Sequence, residues 1–143
     1  MMRALSLTQP WASAIAHEIK RWETRSWPTH VRGEICIHSS RGFPKWAQEF
    51  ADLESIEHRV LGDLPLGYIL CVCNLTECRQ TETLAKEISE LEKKWGAYDY
   101  GRFGFKIENV RVLSEPIPVR GSLGFWKVPS ETEKLIRERL RNA

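Results

Sequence analysis

Two hydrophobic rhythms take turns along the chain. Arg3–Thr8 alternates apolar and polar positions and predicts a strand. Ala12, Ile15, Ala16 and Ile19 then recur at helical spacing, and Pro10 suits the first turn of that helix, with Thr8 or Gln9 as its start. Arg21–Trp27 alternates again until Pro28 ends it, with Trp22, Thr24 and Ser26 on one face and Arg21, Glu23, Arg25 and Trp27 on the other. After Gly33, Glu34–Ser39 reads as a third strand, Ile35 and Ile37 opposing Cys36 and His38. Phe43–Ser55 reads as a helix with Pro44 in its first turn and Trp46, Phe50 and Leu53 as its apolar stripe.

The second half continues in the same manner. Gly62–Gly67 is a loop, and Tyr68–Thr76, apolar on both faces, is a central strand. Thr81–Trp95 predicts an amphipathic helix on Leu84, Ile88, Leu91 and Trp95, followed by a Tyr-rich loop at Gly96–Gly101. Phe103–Leu113 is a long strand; Pro116–Val119 leads into a Gly121–Gly124 turn and a last short strand. Ser130 to Glu133 spells a capping box that starts a C-terminal helix at about 130–141, its exposed side carrying Lys134, Arg137, Arg139 and Arg141. The order β-α-β-β-α-β-α-β-β-α, without repeat or linker, predicts an α+β fold. It is a small mixed β-barrel of five to six strands with helices over its openings. The connections within 21–39 and 103–127 are too short for the crossovers of a doubly wound parallel sheet.

Composition narrows the class. The 143 residues suit one domain spanning 1–143, and 42% apolar with 28% charged residues is the balance of an ordered globular chain. No apolar run is long enough for a bilayer, and no signal-peptide pattern opens the chain, so a cytoplasmic protein with no membrane partner is expected. Cys36, Cys71, Cys73 and Cys78 form no Cys-x-x-Cys knuckle; buried free thiols are expected, with no metal and no cofactor. The net charge of +2 is segregated: +4 over residues 1–45, −6 over 46–100 and +4 over 101–143. If both ends share a face, that face is basic and suits an anionic partner such as nucleic acid. Six tryptophans are the compositional outlier. Some belong to the core, but a base stacked on an aromatic ring is worth about 1–3 kcal/mol, and aromatics interleaved with basic residues suit a nucleic-acid site.

Three motifs stand together: Leu5-Ser6-Leu7-x-Gln9-Pro10-Trp11-Ala12; Lys20-x-x-Glu23-x-Arg25-Ser26-Trp27; and Arg32-Gly33 with Ile37-His38-Ser39-Ser40. With Pro116–Trp126, "PIPVRGSLGFW", they resemble the ASCH domain, the activating signal cointegrator homology family of the PUA-like superfamily, over residues 3–128. The resemblance implies a PUA-like β-barrel with a cleft between the first helix and the barrel. It implies binding of RNA or another nucleic acid. A branch of the family is similar to amidohydrolases of N4-acylated cytidines that use a lysine, a threonine and a glutamate, and ribonuclease activity also occurs in the family. By position, Lys20 matches the family's site lysine. The threonine position holds Glu23, Thr24 falls on the opposite strand face, and the central strand has no carboxylate before Glu77.

The candidate site residues are therefore Gln9, Trp11, Lys20, Glu23, Arg25, Trp27, Arg32, His38 and Ser39. Trp11 and Trp27 would stack on a base; Arg25 and Arg32 would hold phosphate, since a guanidinium binds anions and stacks on rings. Gln9, Lys20 and Glu23 would read polar edges, and His38 and Ser39 would touch the ligand or serve the fold. If the protein is an enzyme, Lys20 and Glu23 are its catalytic pair, a lysine with lowered pKa oriented by a carboxylate; the bland alternative is a salt bridge. Trp46 and Trp95 are assigned to packing and Trp126 to the core. The expected partner is RNA or single-stranded nucleic acid, or a modified nucleoside. A hydrolase acting on nucleosides or RNA is the alternative, and a protein-interaction domain a third reading.

Overall fold

The computed structural model describes residues 1–53 and 55–143, with Ile56 described by its backbone alone. In chain order the elements are β1 (Arg3–Leu7), α1 (Trp11–Ala16), β2 (Trp22–Arg25), β3 (Gly33–Ser39), α2 (Lys45–Ala51), α3 (Ile56–Leu61), β4 (Tyr68–Gln80), α4 (Thr81–Leu84), α5 (Glu90–Lys94), β5 (Phe103–Pro118), β6 (Phe125–Lys127) and α6 (Ser130–Arg141). The strands form one curled, mixed six-stranded sheet, a half-barrel in the order β2-β5-β4-β3-β1-β6. β1 and β3 run parallel; every other neighbouring pair is antiparallel. The strands at 21–39 are not neighbours: β2 pairs with β5, and β6 pairs with β1.

Both faces of the sheet are buried, and residue alternation assigns side chains to each. Leu5, Leu7, Ile35, Ile37, Phe105 and Ile107 pack under the Ala12/Ile15/Ala16 face of α1. Ala4, Cys36, Val72, Leu113 and Trp126 pack on the other side, against Ile136 of α6. Burial of that much aliphatic surface, at about 25 cal/mol per Å², is the main force holding the layers together. Cys36, Cys71 and Cys73 are buried free thiols, and burial pushes the Cys36 thiol up to about 12. No helix among the described residues is long and apolar enough to cross a membrane.

Several elements differ from the sequence expectations, each for a local reason. α1 begins at Trp11 with Pro10 as its cap, because the Thr8 carbonyl already accepts from the Trp11 N–H at 3.0 Å. It ends at Ala16, and Glu18 follows at positive φ, so Ile19 lies beyond it. The helix expected over Phe43–Ser55 is α2 alone, from Lys45 to Ala51; Glu54 lies outside the described residues. A separate α3 then starts where the Ser55 hydroxyl accepts from the His58 N–H at 3.2 Å. The helix expected over Thr81–Trp95 is two short ones, since Ser89 caps a new start by accepting from the Glu92 N–H. Glu92, not Leu91, is the buried residue of α5, because its carboxylate accepts from the Arg21 N–H at 2.8 Å. β4 and β5 run longer than expected because they pair from Tyr68↔Pro118 to Gln80↔Phe103 around several bulges. The capping box of α6 does not form: Pro129 is the cap, and Glu133 instead accepts from the Met2 N–H at 3.1 Å. Two of the four cations on the basic side of α6 are committed. Arg137 pairs with Glu34 at 2.6 Å, and Arg139 donates to the carbonyls of Glu115 and Pro116.

One polar network crosses the half-barrel. The Trp126 indole N–H donates to Ser6 Oγ at 3.0 Å, and Ser6 Oγ lies 2.8 Å from His38 Nδ1. His38 Nε2 lies 2.8 Å from the Val119 carbonyl, which only accepts, so the proton sits on Nε2 and Nδ1 accepts from Ser6. Burial lowers the His38 pKa and favours this neutral ring. Gly121 closes over the network: a Cβ there would stand 2.7 Å from both His38 Cε1 and Ser6 Oγ. Ser6→Ala leaves an indole N–H and an imidazole nitrogen without partners, so it is expected to cost about 1–3 kcal/mol. Urea unfolding followed by tryptophan fluorescence measures this; an unchanged midpoint would show the network to be dispensable.

Candidate functional site

Beside the end of β1 lies a cavity of about 440 Å³. Its aromatic wall comes from two helices that sequence order alone does not bring together. Trp11, the first residue of α1, stacks on Phe50 of α2 with centroids 5.1 Å apart and planes 13° apart. Trp46, one turn earlier on α2, tilts at 39° against Trp11 at 5.6 Å, and Trp95 closes the rear edge-on to Phe50 at 4.8 Å. Trp46 is 62% exposed, so the core does not use this indole.

The opposite wall is polar and comes from β2 and the residues before it. Lys20 is buried; its ammonium donates to the Trp22 carbonyl and stands 3.9 Å from Glu23 Oε1. Glu23 Oε2 accepts from Arg25 Nε at 2.9 Å, and Arg25 Nη2 donates to the Ser6 carbonyl at 2.7 Å. The wall thus joins the Lys20–Glu23 ion pair to β1 through the two charge-assisted hydrogen bonds of Arg25. Burial lowers the Lys20 pKa, Glu23 and Glu92 pull it back up, and Arg25 lowers it further. Glu23 and Thr24 both line the cavity although strand alternation separates them, because β2 is an edge strand and the pocket reaches both its faces. Thr24 Oγ1 accepts from the Ala97 N–H at 3.2 Å, and its carbonyl accepts from Arg102 at 3.2 Å. Lys94 and Arg102 add positive charge to the rim. Two buried donors of cavity residues, Trp95 Nε1 and Arg102 Nε, have no partner among the described residues.

The structure brings Trp11, Lys20, Glu23 and Arg25 to the cavity and leaves the other sequence candidates off its lining. Gln9 is fully buried: its carbonyl accepts from the Ser13 N–H, and its amide donates to Ser13 Oγ and the Pro65 carbonyl, so it braces the first turn of α1 and is closed off from a base. Trp27 meets Phe105 and Phe125 edge-on and supports Arg25, whose guanidinium lies 5.9 Å from its ring centre. Arg32 is exposed and donates to the Thr29 and Val31 carbonyls of its own loop. Ser39 joins β3 to β4 through both the N–H and the carbonyl of Tyr68. His38 belongs to the Ser6 network and reaches a neighbouring groove. Glu77 pairs with Lys106 at 3.4 Å on the surface, so the carboxylate expected from the amidohydrolase pattern is absent from the cavity lining.

Trp46, Phe50, Trp95, Lys94 and Arg102 were not among the sequence candidates. The Trp46–Phe50–Leu53 stripe has core-like periodicity, but Trp46 and Leu53 are exposed and only Ala47 of α2 is buried. Periodicity marks a face without saying what it meets. The usable signal was Trp46 lying beside Lys45, an aromatic and a cation on one short helix.

Comparison with known proteins agrees with this architecture. The family model of the ASCH domain matches residues 5–119. The chain belongs to the ASCH domain family. It is 28% identical over 134 residues to activating signal cointegrator 1 of Mus musculus and of Homo sapiens, an alignment covering 89% of this chain. The chain spans only 22% of the length of these relatives. Its fold resembles the crystal structure of ASCH from Zymomonas mobilis, with TM-score 0.60 and 17% identity over 95% of this chain and 94% of that one. A mutant form of the same Zymomonas mobilis protein gives the same TM-score, covering 96% of that chain.

The charge chain makes a titration prediction. Lys20 is expected to deprotonate below 10.5, and Glu23→Gln is expected to lower its midpoint further by removing the carboxylate that favours the ammonium. A depressed lysine pKa means the folded state releases its proton first, so this group's contribution to stability improves as pH rises from the folded pKa towards 10.5. NMR titration of isotope-labelled lysine measures both midpoints; a rise in the Glu23→Gln protein would contradict the assignment.

Proposed function

We propose that this ASCH domain binds RNA and holds one base in the aromatic-walled cavity between the start of α1, α2 and β2. The observation that carries the reading is the exposed Trp46 indole beside Trp11, facing a wall with more cations than anions. Lys20, Arg25, Lys94 and Arg102 outnumber Glu23 there. The volume lies within the range of about 300–1,000 Å³ usual for small-ligand pockets. A base laid on the exposed Trp46 indole gains stacking, and the acceptor Glu23 offers a contact to its polar edge. Arg25 stands where the cavity opens towards β1 and serves the phosphate of the bound nucleotide. Gln9, Trp27, Ser39 and His38 hold this geometry rather than touch the base, and Arg32 plays no part in it.

A second reading is hydrolysis of an acylated nucleoside or of RNA, favoured by Lys20, Glu23 and Thr24 meeting at one cavity. Binding ranks first because the Lys20 ammonium already donates to the Trp22 carbonyl and its side chain is only 1% exposed. A nucleophile or base needs a free line to its substrate.

Trp46→Ala is the direct test, because an exposed residue can be removed without opening the core. It is expected to weaken binding of a single-stranded oligoribonucleotide by roughly 5- to 150-fold, the loss of about 1–3 kcal/mol of stacking. Fluorescence anisotropy measures it, and equal affinity in wild type and variant would remove the proposal. For the second reading, turnover of N4-acetylcytidine or labelled RNA by the wild type, abolished in a folded Lys20→Ala protein, would replace binding with catalysis.

A further inference from the structure

A second groove of about 510 Å³ adjoins the cavity and shares Ser6, Thr8 and Arg25 with it. Its charged lining residues are Arg25, Arg41 and Arg120, with no carboxylate. No ion pair or hydrogen bond engages the Arg41 or Arg120 guanidinium among the described residues, whereas Arg111, Arg137 and Arg139 are all paired on the far side of the sheet. Unpaired arginines converging on one groove are the feature that the cavity alone does not use.

The groove is built rather than a chance gathering of surface charge. It lies where β1 and β3, running parallel, both end, and where β5 leaves the sheet beside them. Arg120 follows Val119, whose N–H donates to the Gly67 carbonyl at 3.1 Å and whose carbonyl accepts from His38. On its other side Gly121 sits against His38 and Ser6 with no room for a Cβ. Arg41 follows Ser40, whose N–H donates to the Leu7 carbonyl at 2.9 Å. The Arg41 stem lies across Gly67, where a Cβ would meet its Cγ at 3.1 Å; Gly67 itself has a positive φ of 84°. Both backbones are therefore fixed, and both guanidinium groups remain uncommitted.

We infer that this groove carries the phosphodiester backbone of a single strand whose base occupies the neighbouring cavity. The ligand of the site is then a polynucleotide and not a free nucleoside. Arg25 is the hinge between the two compartments: it bonds Glu23 on the cavity side and the Ser6 carbonyl at the groove. The strand passes over Arg25, and the phosphates next to the held base lie against Arg41 and Arg120, with the hydroxyls of Ser40 and Ser122 beside them. This rests on the base-in-cavity reading above and adds the path of the strand's backbone to it.

The test is fluorescence anisotropy with a fluorescein-labelled, single-stranded ten-nucleotide RNA of mixed sequence, across about 50–300 mM salt. Free nucleosides are titrated in parallel by NMR. The Arg41→Ala/Arg120→Ala double variant is expected to bind the oligonucleotide at least about tenfold more weakly at low salt. Its salt slope is expected to fall by about 1.4, about 0.7 for each single-strand phosphate that an arginine no longer neutralises. Its nucleoside-induced shifts at Trp11 and Trp46 are expected to be unchanged. Both arginines are exposed and unpaired, so the melting temperature is expected to stay as in wild type. If the wild type binds the oligonucleotide through Trp46 but the double variant keeps its affinity and slope, the groove is overturned and the cavity reading survives. If Trp46→Ala also leaves binding unchanged, or the wild type does not bind the oligonucleotide, both readings fall.

Discussion

Ser6 is the residue on which the rest of this molecule depends. Its hydroxyl accepts from Trp126 and donates to His38, and its carbonyl accepts from Arg25. Those three bonds join β1 to the closing strand, to the parallel neighbour β3 and to the edge strand β2. The two compartments of the candidate site meet at this residue, since the aromatic cavity and the basic groove share it. A buried network in which every member is satisfied rigidifies what it touches, because any alternative arrangement leaves a polar group unpaired in a low-dielectric setting.

Charge placement follows the same economy. Several cations on the far face and on the strand edges are paired: Arg111 and Arg137 with Glu34, Lys106 with Glu77 and Glu108. Exposed pairs of this kind contribute little to stability, on the order of 0–1 kcal/mol each. They neutralise part of those surfaces, whereas Arg41 and Arg120, past the ends of β3 and β5, have no such partner among the described residues. Lys20 goes the other way: it is buried beside Glu23 and Arg25, where removal from water disfavours its charge. The folded state tolerates that cost because the Trp22 carbonyl and Glu23 receive the ammonium.

Local sequence made much of the frame legible. Alternation at Arg3–Thr8 and Glu34–Ser39 named β1 and β3, and the doubly apolar Tyr68–Thr76 named the centre of the sheet. Helices were less legible where polar side chains set their ends. Ser89 divides one apolar stripe into α4 and α5, and the buried carboxylate of Glu92 turns α5 away from the face that Leu91 suggests. At the site, the Lys20–Glu23–Arg25 wall could be read because its members lie within one turn and one strand. Trp46 could not, because a stripe at helical spacing looks the same whether it meets a core or an open cavity. Gln9 and Ser39 were placed at the right corner but face inward, where backbone groups of Ser13, Pro65 and Tyr68 consume their hydrogen bonds.

By itself the sequence determined the α+β class, the family motifs, most strands and the basic character of the two ends of the chain, since these follow from residue type and short-range period. Only the tertiary structure decided which strands are neighbours and that Trp11 meets Trp46. It alone decided that Arg25, Arg41 and Arg120, from the first and last thirds of the chain, converge at one end of the strands. The physical reason is topology. β1 and β3 are parallel and β5 ends beside them, so residues that are remote in sequence leave the sheet at the same place. Spacing along a chain carries no record of that meeting.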